Sequence, residues 1–513
     1  MVTYIVRRLV TAVLILFGAS FLVYLLTAAS GDPLEDLRAS SAPNRDQLIQ
    51  ARSELLDLDT PAPLRYFGWL SGAVKCVVPF IGSCDLGRSI QGEAVVDALA
   101  RAMGNTILLV TTATILAIII GVSLGIITAL RQYSGLDYGV TFMAFLFFSL
   151  PIFWLAVLLK EFGAIGFNNF LADPEIPLTT LLVVAFASGV IWAVFAGGSP
   201  KRKGVAFLLG AVLAGGLLAL LDAVGWFVEP GLGPVVILVS GVAIAYGVTL
   251  LTAGLKNRRA LGSALIMVAL GLVAYYVVNP LLAGATIWLI ILLAAITMLV
   301  GLVVGYFMGG YDRGQSMRSA ALTGLLMGGL IVLDRFMVTW PLYTGNSRVR
   351  GRPIATIGAS TPGLEGDFWI SGLDSFTHLL LPTLALLLAS LASYSRYSRA
   401  SMLEIMSMDY IRTARAKGLS ERTVVMRHAF RNALIPLATL VAFDIGALIG
   451  GAVITEQVFA FAGMGQLFIS ALARTDPNPI MGFFLVVGIL ALVFNLIADL
   501  VYSFLDPRVR VKA

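Results

Sequence analysis

Tyr410-Ile411-Arg412-Thr413-Ala414-Arg415-Ala416-Lys417-Gly418-Leu419 is the stretch on which the reading of this chain turns. It lies in a basic island of about 35 residues, Arg396 to Asn432, that holds seven arginines and one lysine. Only 12% of the residues are charged, so this concentration between two long apolar runs stands out. Ser401 to Leu419 reads as helix. Met402, Ile405, Met406, Ile411 and Ala414 form an apolar stripe, and Gly418 is a C-terminal stop. A second helical stretch, Glu421 to Asn432, leads to Leu434-Ile435-Pro436. Three uses are open on the residues alone. The island is a positive-inside loop, an anionic-lipid site, or a helix that docks into a groove on a soluble partner.

The surroundings are those of a membrane protein. The chain has 513 residues, 58% of them hydrophobic, and a mean hydropathy of +0.92. A soluble domain averages about 25% charged and about 45–50% apolar residues. The expected fold class is therefore all-α and polytopic. The net charge of +6 sits beside apolar runs, which fits cytoplasmic loops and not a nucleic-acid surface. Two cysteines and two histidines are too few for a metal cluster, and no cofactor site is expected. No P-loop, HExxH or GxSxG stands in a suitable context, and His378 and His428 lack partners in sequence, so no catalytic residue is assigned.

A bilayer core needs about 20 apolar residues as helix. Leu9 to Ser30, preceded by Arg7 and Arg8, is too long for a signal-peptide core and reads as a first span with its N-terminus inside. Residues 31–100 read as an external loop. It contains Cys76 and Cys84, which an oxidising exterior would permit to pair; two free thiols are the alternative. Thr106 to Leu130 is the second span. Tyr138 to Leu159 is the third, with a kink expected at Leu150-Pro151. Six runs follow, near 178–198, 205–225, 234–255, 261–279, 285–309 and 320–340. Lys201-Arg202-Lys203, Lys256 with Arg258-Arg259, and Arg313 with Arg318 occupy alternate turns, as three hairpins with cytoplasmic basic turns require. An external stretch, 341–377, precedes a short apolar run at 379–395. Beyond the island come Ala433 to Ile454, an external loop, Ile480 to Ala498, and a basic tail from Asp506. The total is about twelve spans with both termini cytoplasmic.

Asp444 lies mid-span, where a charge costs at least about 2.5 kcal/mol, so it is a candidate for the translocation path or a subunit interface. Asp222 and the pair Asp334-Arg335 lie nearer span ends and are expected at solvated boundaries. Gly446 and Gly450 have the small-xxx-small spacing of close helix packing.

Tyr410-Ile411-Arg412-Thr413-Ala414, with Gly418 four residues on, resembles the "EAA" coupling loop of bacterial ABC importer permeases, most of all their dipeptide/oligopeptide branch. The family's first two letters, Glu and Ala, are here Arg412 and Thr413. Both ends of the chain share the resemblance: Tyr4-Ile5-Val6-Arg7-Arg8-Leu9, Gly31-Asp32-Pro33, Asp85-Leu86-Gly87-Arg88-Ser89, Leu150-Pro151-Ile152-Phe153-Trp154 and His378-Leu379-Leu380-Leu381-Pro382. Beyond the loop it extends to Thr455-Glu456-Gln457-Val458-Phe459, Gly463-Met464-Gly465 and Leu505-Asp506-Pro507-Arg508. The resemblance implies a permease subunit for peptides or similar small solutes. It gives Asp409, Tyr410, Arg412, Thr413, Ala414 and Gly418 the role of contacting an ATPase.

It also implies partners: a second homologous permease, two cytoplasmic ATP-binding subunits and an extracytoplasmic solute-binding protein, in the cell membrane of a bacterium or archaeon and amid its lipid. Nickel chelates, glycosides or another small solute are alternative cargoes of the branch. A stand-alone secondary transporter or channel would need a line of intramembrane charges or inverted repeats, and the sequence offers Asp444 and little else. Residues from about 170 to 345 match nothing in the pattern. The expected organisation is thus a permease half at 1–170, an inserted six-span region at 171–345, and a second half with the coupling loop at 346–513.

Overall fold

The structure, a computed structural model, describes residues 2–78, 80, 82–434, 436–437, 440–441 and 452–505. Eleven helices among them are long and apolar enough to cross a membrane. Asp444, Gly446, Gly450, most of the span expected at Ala433–Ile454 and the tail from Asp506 lie outside the described residues.

Helix α1 (Val2–Ser30) is the first span. The loop after it, expected to lie outside, is itself folded into α2 (Glu35–Arg38), α3 (Arg45–Leu55) and α4 (Ala62–Val77). Tyr66 of α4 is fully buried against α1. Its hydroxyl shares a 2.8 Å hydrogen bond with Ser20, and the rings of Phe21 and Tyr24 meet it edge-on. Cys76 and Cys84 lie at the end of α4 with their sulfur atoms 2.04 Å apart.

Helices α5 (Val95–Leu130) and α15 (Phe368–Ser407) form the central pair. They touch through Gly121 and Gly125. A Cβ at Gly121 would meet Tyr394 Cβ at 2.8 Å, and one at Gly125 would stand 2.6 Å from the Ser395 carbonyl oxygen. This is the close backbone approach that small residues permit at membrane helix crossings, and it lets the Ser398 hydroxyl donate to the Val122 carbonyl oxygen at 3.2 Å.

The third span is not one kinked helix. α6 (Gly135–Ser149) ends, Leu150 and Pro151 are extended, and α7 (Ile152–Leu158) begins. A residue before proline is pushed out of the helical region, so the expected kink is a full break. The path then continues past Leu159 through a π-helical turn, Leu159–Gly166, into α8 (Phe167–Ala172). Lys160 and Glu161 therefore belong to this span.

The six following spans are α9 (Leu178–Ala196), α10 (Pro200–Ala223), α11 (Gly233–Thr252), α12 (Arg258–Leu282), α13 (Ile287–Met308) and α14 (Arg313–Thr344). The hairpin α9–α10 leans on α6. In the bundle α11–α14, α14 touches the other three and also α15. The end of α9 abuts Gly135, whose added Cβ would overlap the Val194 carbonyl. Asn257 donates to Gln315 at 3.3 Å, and Leu251 borders a cavity with Arg131 and Arg415. The basic turns thus gather on the side of the molecule that carries the basic island. At the opposite ends, Trp369 Nε1 donates to the Leu282 carbonyl oxygen at 2.7 Å. Asp334 is not solvated as its position suggested. It is buried, because its carboxylate accepts from the Leu232 and Gly233 amides at 2.7 and 3.1 Å and so satisfies the open N–H groups where α11 begins.

Candidate functional site

The expected helix Ser401–Leu419 is two helices. α15 stops at Ser407, Met408 is extended (ψ 148°), and α16 (Asp409–Ala416) starts. The stop of α16 is a Schellman motif. The Gly418 amide donates to the Arg415 carbonyl at 2.9 Å, and the Leu419 amide to that of Ala414 at 3.4 Å. Gly418 has φ +75°, the left-handed conformation that this motif needs and that glycine adopts without a Cβ penalty. Ser420 then caps α17 (Glu421–Thr423), which continues as a π-helical turn, Val424–Ala429.

The apolar stripe points inward. Ile411, Ala414 and Met402 are buried with Ala129 of α5 and with Val424, Val425 and Ala429. α16 is therefore seated on the end of α15 and on the turn Val424–Ala429, in a buried cluster that also takes in Ala129 of α5. Its other face, Asp409, Tyr410, Arg412 and Thr413, is exposed. Tyr410 accepts a 2.8 Å hydrogen bond from Asn432 Nδ2. Arg415 binds Glu421 at two points, 2.7 and 3.1 Å, which holds the Glu421 carboxyl below its usual range. The six loop residues thus take three places: Ala414 anchors, Gly418 turns, and Asp409, Tyr410, Arg412 and Thr413 form the exposed face.

Three other clusters escaped the sequence reading. Glu456, fully buried, lies in the helix Val453–Val458. It accepts from Thr106 Oγ1 of α5 at 2.6 Å and from the Gly465 and Gln466 amides at 2.6 and 3.2 Å, at the start of the helix Met464–Ala473. Burial pushes its carboxyl up, against these hydrogen bonds. A Cβ on Gly463 would overlap the Glu456 carboxylate. Glutamate and the glycine-rich turn are thus one device, a capped helix start stapled to α5.

Asp476, in the turn before the helix Pro477–Leu505, accepts from the Ile90 amide at 2.8 Å, while Asn478 donates to the Arg88 carbonyl at 2.8 Å. Burial pushes the Asp476 carboxyl up to about 6, although the Ile90 and Asn478 amides pull the other way. Lys160, in the π-helical turn, donates to the Val458 carbonyl at 3.1 Å.

His378 is buried in α15, with Nδ1 2.8 Å from the Asp374 carbonyl oxygen. Pro382 lies four residues on inside the same helix. A proline there supplies no N–H to the His378 carbonyl, which gives the histidine and proline of this stretch a shared place in the helix.

The arrangement is an exposed polar helix face seated on the end of α15, with buried polar clasps toward the far ends of α5 and α15. Two family models match the chain. One, for the binding-protein-dependent transport system inner membrane component, covers residues 267–511. The other, for the N-terminal part of the same kind of membrane component, covers residues 1–110. Together they cover more than half of the chain. The chain belongs to this permease family. Its similar proteins include the oligopeptide transport system permease protein OppB of Mycobacterium tuberculosis, 26% identical over 512 residues and 100% of both chains. The oligopeptide transport system permease protein AppB of Bacillus subtilis is 24% identical over 515 residues, 99% of each chain. The dipeptide transport system permease protein DppB of Escherichia coli is 35% identical over 206 residues, 37% of this chain and 60% of that one. A permease of this family is a multi-pass protein of the plasma membrane that works within a transporter complex, and it is not a catalytic enzyme. Its matched segments include the capped turn at Glu456 and the exposed face of α16.

Proposed function

We propose that this permease is the membrane-spanning subunit of an ATP-driven importer, and that it forms the path by which peptides or similar small solutes cross. The observation that carries the reading is the seating of α16. Its buried face is fixed to the end of α15 and to the turn Val424–Ala429 while its polar face is exposed, so force applied to Tyr410, Arg412 and Thr413 is delivered to a span rather than absorbed by a loose loop. α15 has 40 residues and is about 60 Å long at 1.5 Å per residue. It reaches from this surface to the polar network around Asp374. The names of the similar proteins, oligopeptide and dipeptide permeases, support peptides as cargo.

The partners in this reading are a second homologous permease, two ATP-binding subunits seated on α16 and its counterpart, and a solute-binding protein on the opposite face. Both termini and the basic turns lie in the cytoplasm. ATP closes the ATPase pair, α16 moves with it, and the spans tilt to switch access. Asp444 is proposed for the path or the interface with the second permease. The six spans α9–α14 are proposed as an insertion into a six-span core. In support, Asn168, just before them, clasps Ile354, just after them: its Nδ2 donates to the Ile354 carbonyl at 2.8 Å and its Oδ1 accepts from the Ile354 amide at 3.0 Å. The longer family match begins at Met267, inside α12, so the boundary of such an insertion needs a direct test by deletion of residues 175–345.

Reconstitution tests the function. The complete complex in proteoliposomes is expected to accumulate a labelled tripeptide only with ATP, the ATPase subunits and the binding protein all present. Uptake by this chain alone, driven by an ion gradient, would replace the reading with that of a secondary transporter.

A further inference from the structure

Segment 345–362 folds over the far ends of α8, α14 and α15 and encloses a pocket of about 440 Å³, a size within the range of small-molecule sites, about 300–1,000 Å³. Arg348, Arg352, Asn168, Asn169, Tyr343 and His378 are in its wall. The floor is a satisfied polar network. The Tyr343 hydroxyl shares a 2.9 Å hydrogen bond with Thr377 and lies 3.3 Å from Asp374 Oδ1. The Thr361 amide donates to Asp374 Oδ2 at 2.9 Å. Since the Asp374 carbonyl can only accept, His378 Nδ1 carries the hydrogen of their 2.8 Å contact. Asp374 is thus engaged within the floor.

The arginines are not engaged. Among the described residues no carboxylate forms an ion pair with Arg348 or Arg352. Both are exposed. They sit within eight residues of the end of α14, on the side opposite the three basic turns. Arginine so close to a span on that side runs against the positive-inside bias, and a structural floor that does not need the charge leaves it free for something else. Two guanidinium groups at the mouth of a polar pocket suit a planar anion, which arginine binds at two points.

We propose that this pocket receives the free carboxylate of the transported solute, the C-terminal carboxylate of a short peptide, with Arg348 and Arg352 as its binding residues. The proposal rests on the reading of the chain as a peptide importer permease. It makes the permease itself a reader of the carboxyl terminus, on the face where solute arrives.

The test is uptake by the complete reconstituted complex of a neutral tripeptide and of its C-terminal amide. The binding protein's own preference cancels when wild type and variant are compared. Arg348→Gln with Arg352→Gln is expected to lower the acid-to-amide uptake ratio about tenfold, the scale of a lost charged hydrogen bond. Arg350→Gln, outside the pocket wall, should leave the ratio unchanged. Ser360→Asp, which places a like charge in the same pocket, should lower it without removing either arginine. An unchanged ratio in both pocket variants overturns the proposal, as does a loss of binding-protein affinity with no change of ratio. Wild-type uptake of neither peptide would instead remove the importer reading, and the proposal with it.

Discussion

Arg399 and Asp137 meet at two points: Nε to Oδ1 at 2.9 Å and Nη2 to Oδ2 at 3.0 Å. The contact ties α15, about two turns before its end, to the first turn of α6, where Asp137 also accepts from the Tyr133 amide at 3.0 Å. Asp137 is buried while Arg399 is about one-third exposed. The aspartate is thus the member that suffers if left alone, because removing one partner of a buried pair strands the other charge. Arg399→Gln is expected to destabilise the solubilised protein by about 2 kcal/mol, read as a lower unfolding midpoint. Asp137→Asn with Arg399→Gln should recover most of it, since no buried charge then remains. A double variant no more stable than Arg399→Gln alone would show that the pair does not act this way.

At Gly418 the cost of change is confined to the backbone. φ is +75° and an added Cβ would meet nothing within 4 Å, so no neighbour opposes a Cβ there. Gly418→Val is expected to cost about 1–2 kcal/mol locally, and Gly418→Asn less, because asparagine tolerates the left-handed region. The readout is hydrogen exchange of the Gly418 and Leu419 amides, which close the Schellman motif. In the complete transporter, peptide-stimulated ATP hydrolysis should fall in the order glycine, asparagine, valine. Equal activity of the three would detach the turn from coupling. Ala414→Glu is a different lesion, since Ala414 is buried and a carboxylate there would break the packing that seats α16.

The spans were legible because length and apolarity decide them: six runs expected between 178 and 340 appear as α9 to α14 with ends displaced by a few residues. The basic turns were legible because charge marks one side of a membrane. What could not be read is pairing at long range. Thr106 and Glu456 are 350 positions apart, and Ile90 and Asp476 are 386 apart. Nothing in either local stretch announces the other. The stripe through Ile411 and Ala414 was visible, but spacing cannot say whether an apolar face meets a partner or the chain's own spans. The break at Met408 was hidden for a related reason. No glycine or proline stands there, and the turn follows from the packing of α16 against α15 and the turn Val424–Ala429.

Asp476 predicts a pH dependence of the clasp between residues 88–90 and 476–478. Its carboxyl is raised to about 6 against about 3.9 for an unfolded aspartate. Between these values the folded state holds the proton that the unfolded state has released, so stability falls as pH rises. The contribution is full below about pH 4 and is lost as pH passes about 6. The wild-type unfolding midpoint should drop between pH 5 and pH 7 by more than that of Asp476→Asn, which has no proton to lose. Parallel pH profiles of the two proteins would show that Asp476 does not titrate in this range.

Cys76 and Cys84 close a short loop beyond α4, and α4 holds the region between α1 and α5 to α1 through Tyr66. Loop closure over nine residues restricts the unfolded chain by roughly 2.5 kcal/mol in the entropic account. Cys76→Ser with Cys84→Ser is therefore expected to lower stability by up to that amount and to leave insertion of the spans intact, because the loop lies beyond α1 and α5. Two checks are needed. Mass spectrometry should find neither cysteine alkylated before reduction and both afterwards. Thermal unfolding of wild type with and without reductant should then differ by the same shift as wild type and the double variant. Alkylation of native protein without reductant would show free thiols, and the loop would then owe its stability to α4 alone.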